Sequence, residues 1–215
     1  MSELTYIKMN HGQRQRYLKA KYARDKVLSV LGLILLSPLI LLIALVILMG
    51  DPHASPFYSQ MRVGEDGRRF RLYKFRTMAP GAEDEIDSLL PRNEMHGPVF
   101  KIKDDARITR IGKILRKTGL DEIPQFINVL KGDMSIVGPR PPLPREVDLY
   151  NEKQMRRLKA RPGITCLWQI QPDRNRILFD DWVALDIRYM KERCHKLDRK
   201  IMRKTIVAML RCQGE

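Results

Sequence analysis

Two adjacent acids, Asp121 and Glu122, stand directly before Ile123-Pro124, at the predicted start of a short helix. An acidic side chain there can cap the helix, answering free backbone N–H groups and meeting the positive end of the dipole. The same placement can also make a reaction centre. A carboxylate held at a helix N-terminus stays ionised, and the neighbouring N–H groups can receive phosphate oxygens. One carboxylate can then attack phosphorus while the other holds Mg2+. The surroundings favour the second use. Arg116 and Lys117 precede the pair, and Lys131 and Arg140 follow it. Residues 137–141, VGPRP, are too rich in proline for a helix interior or a central strand. They are expected to fix Arg140 in a rigid loop suited to bidentate phosphate contact, although an arginine in a surface turn is the plainer reading. Lys74, within KFRTM, lies among apolar and aromatic neighbours on a predicted strand. Its plain reading is a snorkelling lysine, its functional one a further cation beside the acids.

These residues need elements to position them. Residues 27–49 read VLSVLGLILLSPLILLIALVILM without a charge. About 20 apolar residues suffice to span a hydrocarbon core, so this run enters a membrane. It is too long for a signal-peptide core, and no small-residue cleavage site follows it. An ordinary spanning helix is one reading. Ser37-Pro38 near the centre argues for another, because the proline lacks an N–H and crowds the carbonyl of Ile34. The helix is expected to kink or break there, with the Ser37 hydroxyl answering part of the freed carbonyl set. Basic residues flank both ends: Lys19, Lys21, Arg24 and Lys26 before, and Arg62, Arg68, Arg69, Arg71 and Lys74 after. Positive charge favours the cytoplasmic side, so such flanks suit a re-entrant segment that returns by the face it entered.

Residues 1–26 form a basic juxtamembrane segment, predicted to lie on anionic lipid. Residues 57–78 alternate with period two around Gly64-Glu65-Asp66-Gly67, which predicts a hairpin. An amphipathic helix is predicted over 107–117, a short helix from about Glu122 to Lys131-Gly132, and helices over 145–159, 180–192 and 197–210, the last with one apolar and one basic side. The fold class is therefore α+β and helix-rich: a basic segment 1–26, a Ser-Pro-broken membrane helix 27–49, and a catalytic domain 50–215 with interfacial amphipathic helices.

Forty Lys+Arg against 25 Asp+Glu give a formal charge of +15, which points to a polyanionic partner. Nucleic acid is one candidate class, but no recognition motif is present and the apolar run would have no use there. The three cysteines, Cys166, Cys194 and Cys212, lack any C-x-x-C spacing, so neither a disulfide framework nor a zinc site is predicted. A basic membrane-tethered scaffold without catalysis would explain the charge and the anchor. It would leave the GPRP loop beside an acidic pair unexplained.

The whole run decides between these readings. Residues 119–141, GLDEIPQFINVLKGDMSIVGPRP, closely resemble the hallmark segment of the bacterial sugar transferase family. These are monotopic polyprenol-phosphate phosphoglycosyl transferases of exopolysaccharide, O-antigen and glycoprotein pathways. KFRTM at 74–78, RPGIT at 161–165 and Ser37-Pro38 match as well, so the resemblance runs from about Arg24 onward. HGPVFKIKDDARITRIGKILRKTGLDE, PPLPREVDLY and TCLWQ look most like the exopolysaccharide branch. Larger members carry a further N-terminal membrane domain, which this chain is expected to lack.

The resemblance implies that Asp121 is the nucleophile, attacking the β-phosphate of a UDP-sugar and expelling UMP to leave a phosphosugar–aspartyl intermediate. It makes Glu122 the ligand of Mg2+, and Lys74, Arg116 and Arg140 the basic residues around the phosphates. Polyprenol phosphate then takes the phosphosugar. The implied location is the cytoplasmic face of a bacterial inner membrane, among its lipids, with no nucleic acid and with the oligomeric state open. The family pattern Q-V-x-G-R-(N/S) is replaced here by Q-I-Q-P-D-R-N from Gln169, so the donor-site arginine falls on Arg174 or on Arg176. The usual apolar stretch before the last helix is here Cys194-His195-Lys196.

Overall fold

The polar and apolar halves of the N-terminal run form one helix, α1 (His11–Gly50), in the computed structural model, which describes residues 9–95, 97–100, 102, 105–172 and 177–212, side chains 87 and 90 excepted. Asn10 starts α1 through a reciprocal capping box: its side chain accepts from Gln13 N, and its own N–H donates to Gln13 Oε1. The juxtamembrane segment and the membrane helix therefore meet without a boundary at residue 26. Nor does Pro38 interrupt the helix. The carbonyl of Ile34, which the proline cannot answer, accepts from Ser37 Oγ at 2.8 Å. The expected break is in this respect corrected to a continuous helix with a locally repaired bond.

Each half of α1 is docked by different chemistry. In the first half Tyr17, Lys21, Asp25 and Ser29, spaced by four, form a buried polar stripe. In the second half Ile43, Ala44 and Ile47 pack with Phe75, Leu115 and Ile123. Many other apolar side chains of α1 are exposed, including Leu35 at 77% and Met49 at 82%. This apolar surface has the length and composition to enter a membrane.

β1 (Phe57–Val63) and β2 (Arg69–Phe75) form the predicted antiparallel hairpin, with Phe57 opposite Phe75 and Val63 opposite Arg69. Asp66 at φ 54° and Gly67 at φ 81° take the left-handed conformations that the turn requires. A short α2 (Ile86–Leu89) follows. α3 (Arg110–Thr118) starts three residues later than predicted. Thr109 caps it by accepting from Gly112 N, whereas Arg107 is buried on Asp105 and on the carbonyl of Ala82.

α4 (Gln125–Lys131) ends at Gly132, whose φ of 88° suits that position. Two three-residue strands that the sequence did not announce, β3 (Ser135–Val137) and β4 (Gly163–Thr165), pair in parallel. The single helix expected over 145–159 is divided into α5 (Pro144–Val147), α6 (Glu152–Met155) and a 3-10 turn, Arg156–Lys159. Asn151 is the reason: its capping box with Gln154 begins a new helix.

α7 (Phe179–Glu192) and α8 (His195–Leu210) close the unit. Tyr189, Leu197 and Ile201 pack behind β3 on Val137 and Leu167. Full burial of a side chain such as Ile201 contributes about 1.5–3 kcal/mol. The Trp168 and Trp182 rings stack at 4.1 Å in a second cluster. Phe70 and Leu72 hold the hairpin on Val129 and Met134.

Candidate active site

α3 ends because Gly119 adopts φ 71°. That left-handed residue turns the chain into the 3-10 turn Leu120–Glu122, which presents both acids. Ile123 anchors the turn in the cluster beneath α1. α4 then starts after Pro124, which has no capping side chain, so neither acid occupies the Ncap position. The capping reading of the pair is replaced by contacts to distant cations. Lys74 Nζ lies 3.2 Å from Glu122 Oε1 and 3.6 Å from Asp121 Oδ2. Arg140 Nη1 lies 3.8 Å from Glu122 Oε1. Asp121 is 6% exposed, and Glu122 is more open.

Lys74 faces this site because of strand alternation. Phe75 points into the α1 cluster, so Lys74 and Leu72 point to the opposite face of the hairpin. Asn128 fixes the hairpin on α4. Its buried amide accepts from Tyr73 N at 3.0 Å and donates to the carbonyl of Arg71 at 2.7 Å, as a neighbouring strand would. Lys74 is thereby placed beside a residue 48 positions further on.

Arg140 comes from the other side. The GPRP and RPGIT motifs interlock through the β3–β4 pair: Gly138 N donates to the carbonyl of Thr165, and Gly163 N to that of Pro139. Glycine is required for this approach. A Cβ on Gly163 would lie 2.0 Å from Gly138 N, and one on Gly138 would lie 2.4 Å from the carbonyl of Arg161.

The result is a shallow, open cleft that includes Arg62, Lys74, Glu122, Gln125 and Arg140 in its lining. Structure thus unites Lys74, Asp121, Glu122 and Arg140 from the sequence reading. Arg116 is not brought into this lining; its Nε is committed to Thr77 Oγ1 at 3.0 Å. Arg174 and Arg176 lie outside the described residues. Arg62 was missed as a site residue, although its signal existed. Counting the hairpin register back from the turn puts Arg62 opposite Phe70 and Tyr58 opposite Lys74, which share one face.

No cluster of three or more His, Cys, Asp or Glu among the described residues could cage a metal. The donors available are one partly exposed carboxylate, Glu122, beside the buried Asp121. That set fits Mg2+ shared with substrate phosphates, its usual mode of binding. Chemically, the site offers a carboxylate pair for attack and metal holding, and three cations for a polyphosphate.

This chain is similar in sequence to known proteins. A family profile described as bacterial sugar transferase matches residues 16–212. The galactosyl transferase CpsE of Streptococcus agalactiae is 46% identical over 194 residues, covering 90% of this chain and 43% of that protein. The exopolysaccharide production protein ExoY of Rhizobium meliloti is 37% identical over 199 residues, 91% of this chain and 87% of that protein. The undecaprenyl-phosphate galactose phosphotransferase of Salmonella typhimurium is 38% identical over 216 residues, 98% of this chain and 44% of that protein. The chain thus spans less than half of CpsE and of the Salmonella protein, and most of ExoY. Since the profile match takes in most of α1, the acidic turn, the GPRP loop and both closing helices, the chain belongs to the bacterial sugar transferase family.

Proposed function

We propose that this enzyme transfers a sugar 1-phosphate from a UDP-sugar to polyprenol (undecaprenyl) phosphate, releasing UMP and forming a polyprenyl-diphosphate sugar. This step begins exopolysaccharide, O-antigen or other glycoconjugate assembly. The observation that carries the reading is the convergence of Lys74 and Arg140 on the adjacent acids Asp121 and Glu122. The name of the Salmonella relative supports the lipid acceptor, and that of an Erwinia amylovora relative, UDP-galactose-lipid carrier transferase, makes UDP-galactose the first donor to test.

Lys74, Arg140 and Arg62 hold the diphosphate and orient its β-phosphorus toward Asp121. An Asp121 oxygen attacks that phosphorus, the bond to the bridging oxygen breaks, and UMP leaves with the electron pair. The phosphosugar now rests on the Asp121 carboxylate as an acyl phosphate. An oxygen of polyprenol phosphate attacks the same phosphorus, and Asp121 departs as a carboxylate. Glu122 would hold Mg2+, which would supply neutralisation of the diphosphate charge. Full-length protein in nanodiscs with Mg2+ and undecaprenyl phosphate is expected to release UMP from a UDP-sugar. Folded protein that releases none from any UDP-sugar tested overturns the reading.

The docking of α1 supports a re-entrant placement on the cytoplasmic face of the inner membrane. Tyr17 meets the domain through Asp198 on α8, and Ile47 meets it through the Phe75 cluster. Thirty residues of straight helix measure about 45 Å, whereas the hydrocarbon core is about 30 Å thick. A helix crossing the bilayer would need one polar domain on both sides of it. With both ends on one face, the exposed side of α1 meets the acyl chains, and the cleft stays where a soluble donor and a lipid acceptor can meet. Single cysteines at Gln15→Cys and His53→Cys, in a cysteine-free background, are expected to react with an impermeant thiol reagent only in inverted vesicles. Labelling of either from the periplasmic side would restore a spanning helix.

A further inference from the structure

The loop that carries Arg140 can be held by little except its carbonyls, because Pro139, Pro141 and Pro142 have no N–H. Every carbonyl from 139 to 142 is taken, each by a different donor. Pro139 O accepts from Gly163 N at 2.9 Å, and Pro142 O from Val63 N at 2.9 Å. Pro141 O accepts from Arg62 Nη1 at 3.1 Å. Arg140 O accepts from Arg157 Nη2 at 3.1 Å.

Arg157 differs from the other donors in being a buried charge, 3% exposed. Its Nε and Nη2 reach Asp186 Oδ2 at 2.9 and 2.6 Å, and its Nη1 donates to Tyr150 OH at 2.9 Å. Burial works against the charge, but Asp186 and Tyr150 more than offset it, and the guanidinium is held above its ordinary pKa. Apolar residues of similar volume often replace a buried ion pair without loss of stability. Such residues could not give Arg140 a charge-assisted donor.

We propose that Arg157, oriented by Asp186, is a positioning residue for Arg140: it fixes the peptide plane that follows Arg140 and so aims the Arg140 side chain at the donor phosphates. The inference rests on the functional reading above for the identity of the ligand. It predicts that Arg157 acts on the UDP-sugar and not on the lipid acceptor, and that it acts only through Arg140.

The test uses full-length protein in nanodiscs, with UDP binding by calorimetry beside steady-state kinetics. Arg157→Lys, which keeps the charge but loses the planar fork, is expected to weaken UDP binding and raise the donor KM about tenfold. The KM for polyprenol phosphate should stay unchanged. In an Arg140→Ala background the same substitution should add less than about twofold, because its only route of action is gone. Undiminished UDP binding in folded Arg157→Lys, or an equal loss in both backgrounds, overturns the proposal while leaving the activity standing. Should Arg157→Lys fail to fold, Asp186→Asn takes its place. It should weaken UDP binding by about threefold, and an equal loss with Arg140→Ala is again decisive against the proposal. A wild-type protein that neither binds UDP nor releases UMP overturns both readings together.

Discussion

Asp121→Asn is expected to bring UMP release to background, a loss of roughly 10³-fold or more, as for other enzymes that lose their nucleophile. The substitution is nearly isosteric and keeps one carbonyl oxygen, so packing around this 6% exposed site should hold. On the proposed mechanism, what should disappear is the anionic oxygen that attacks phosphorus, and with it the acyl phosphate. Lys74, 3.6 Å from Asp121, should keep its contact with Glu122 at 3.2 Å, so the cation proposed to grip the donor stays in place. UDP binding should therefore survive in the variant while turnover does not. Native mass spectrometry makes the test direct. Wild-type protein given donor without acceptor should gain the mass of one phosphosugar, and Asp121→Asn should gain none. Wild-type turnover in the variant, or an adduct still formed on it, would remove Asp121 from the nucleophile role.

Asp198→Ala is expected to cost about 3–5 kcal/mol of stability, the range for breaking a buried ion pair by removing one partner. Asp198 is fully buried and receives Tyr17, Lys21, Arg24 and Tyr189 at 2.8–3.1 Å. Burial pushes the Tyr189 phenol up, and Asp198 beside it adds to the shift, so this hydroxyl remains a donor. Alanine would leave Lys21, 2% exposed, with Asp25 at 3.4 Å as its remaining ion partner. Asp25 is itself committed to Ser135 Oγ and Ile136 N on β3. The damage should thus spread from α1 to the strand that leads into the Arg140 loop. A lowered unfolding midpoint in detergent and early proteolytic release of the α1 segment are the expected signs. An unchanged midpoint would show that the apolar contacts of Ile43 and Ile47 suffice to hold α1.

Local pattern was enough for several elements. The hairpin followed from period-two alternation around a glycine-bounded turn, and α7 and α8 followed from helical periodicity within two residues. The end of α4 followed from Lys131-Gly132. Where the reading erred, a side chain competed with the pattern. Asn151 restarted a helix expected to run over 145–159. Ser37 answers the Ile34 carbonyl as expected, but α1 continues through Pro38 where a break was one expectation. The first half of α1 read as a lipid-facing basic segment because charges usually mark a solvated face. Lys19 and Lys26 are indeed exposed, but Lys21 is buried, since Asp198, far along the chain, receives it.

By itself the sequence determined which residue types were on offer: an acidic pair at a predicted helix start, a proline-locked arginine, and an apolar run fit for a membrane. These are local properties, set by residue type and spacing within a few positions. Tertiary structure alone decided which cations meet the acids, choosing Lys74 and Arg140 while sending Arg116 to Thr77. It also decided that GPRP and RPGIT form one interlocked unit and that Arg157 and Asp186 stand behind it. The physical reason is range. A three-residue strand or a buried ion pair has too little local free energy to form alone, so it exists only once distant segments have been brought together.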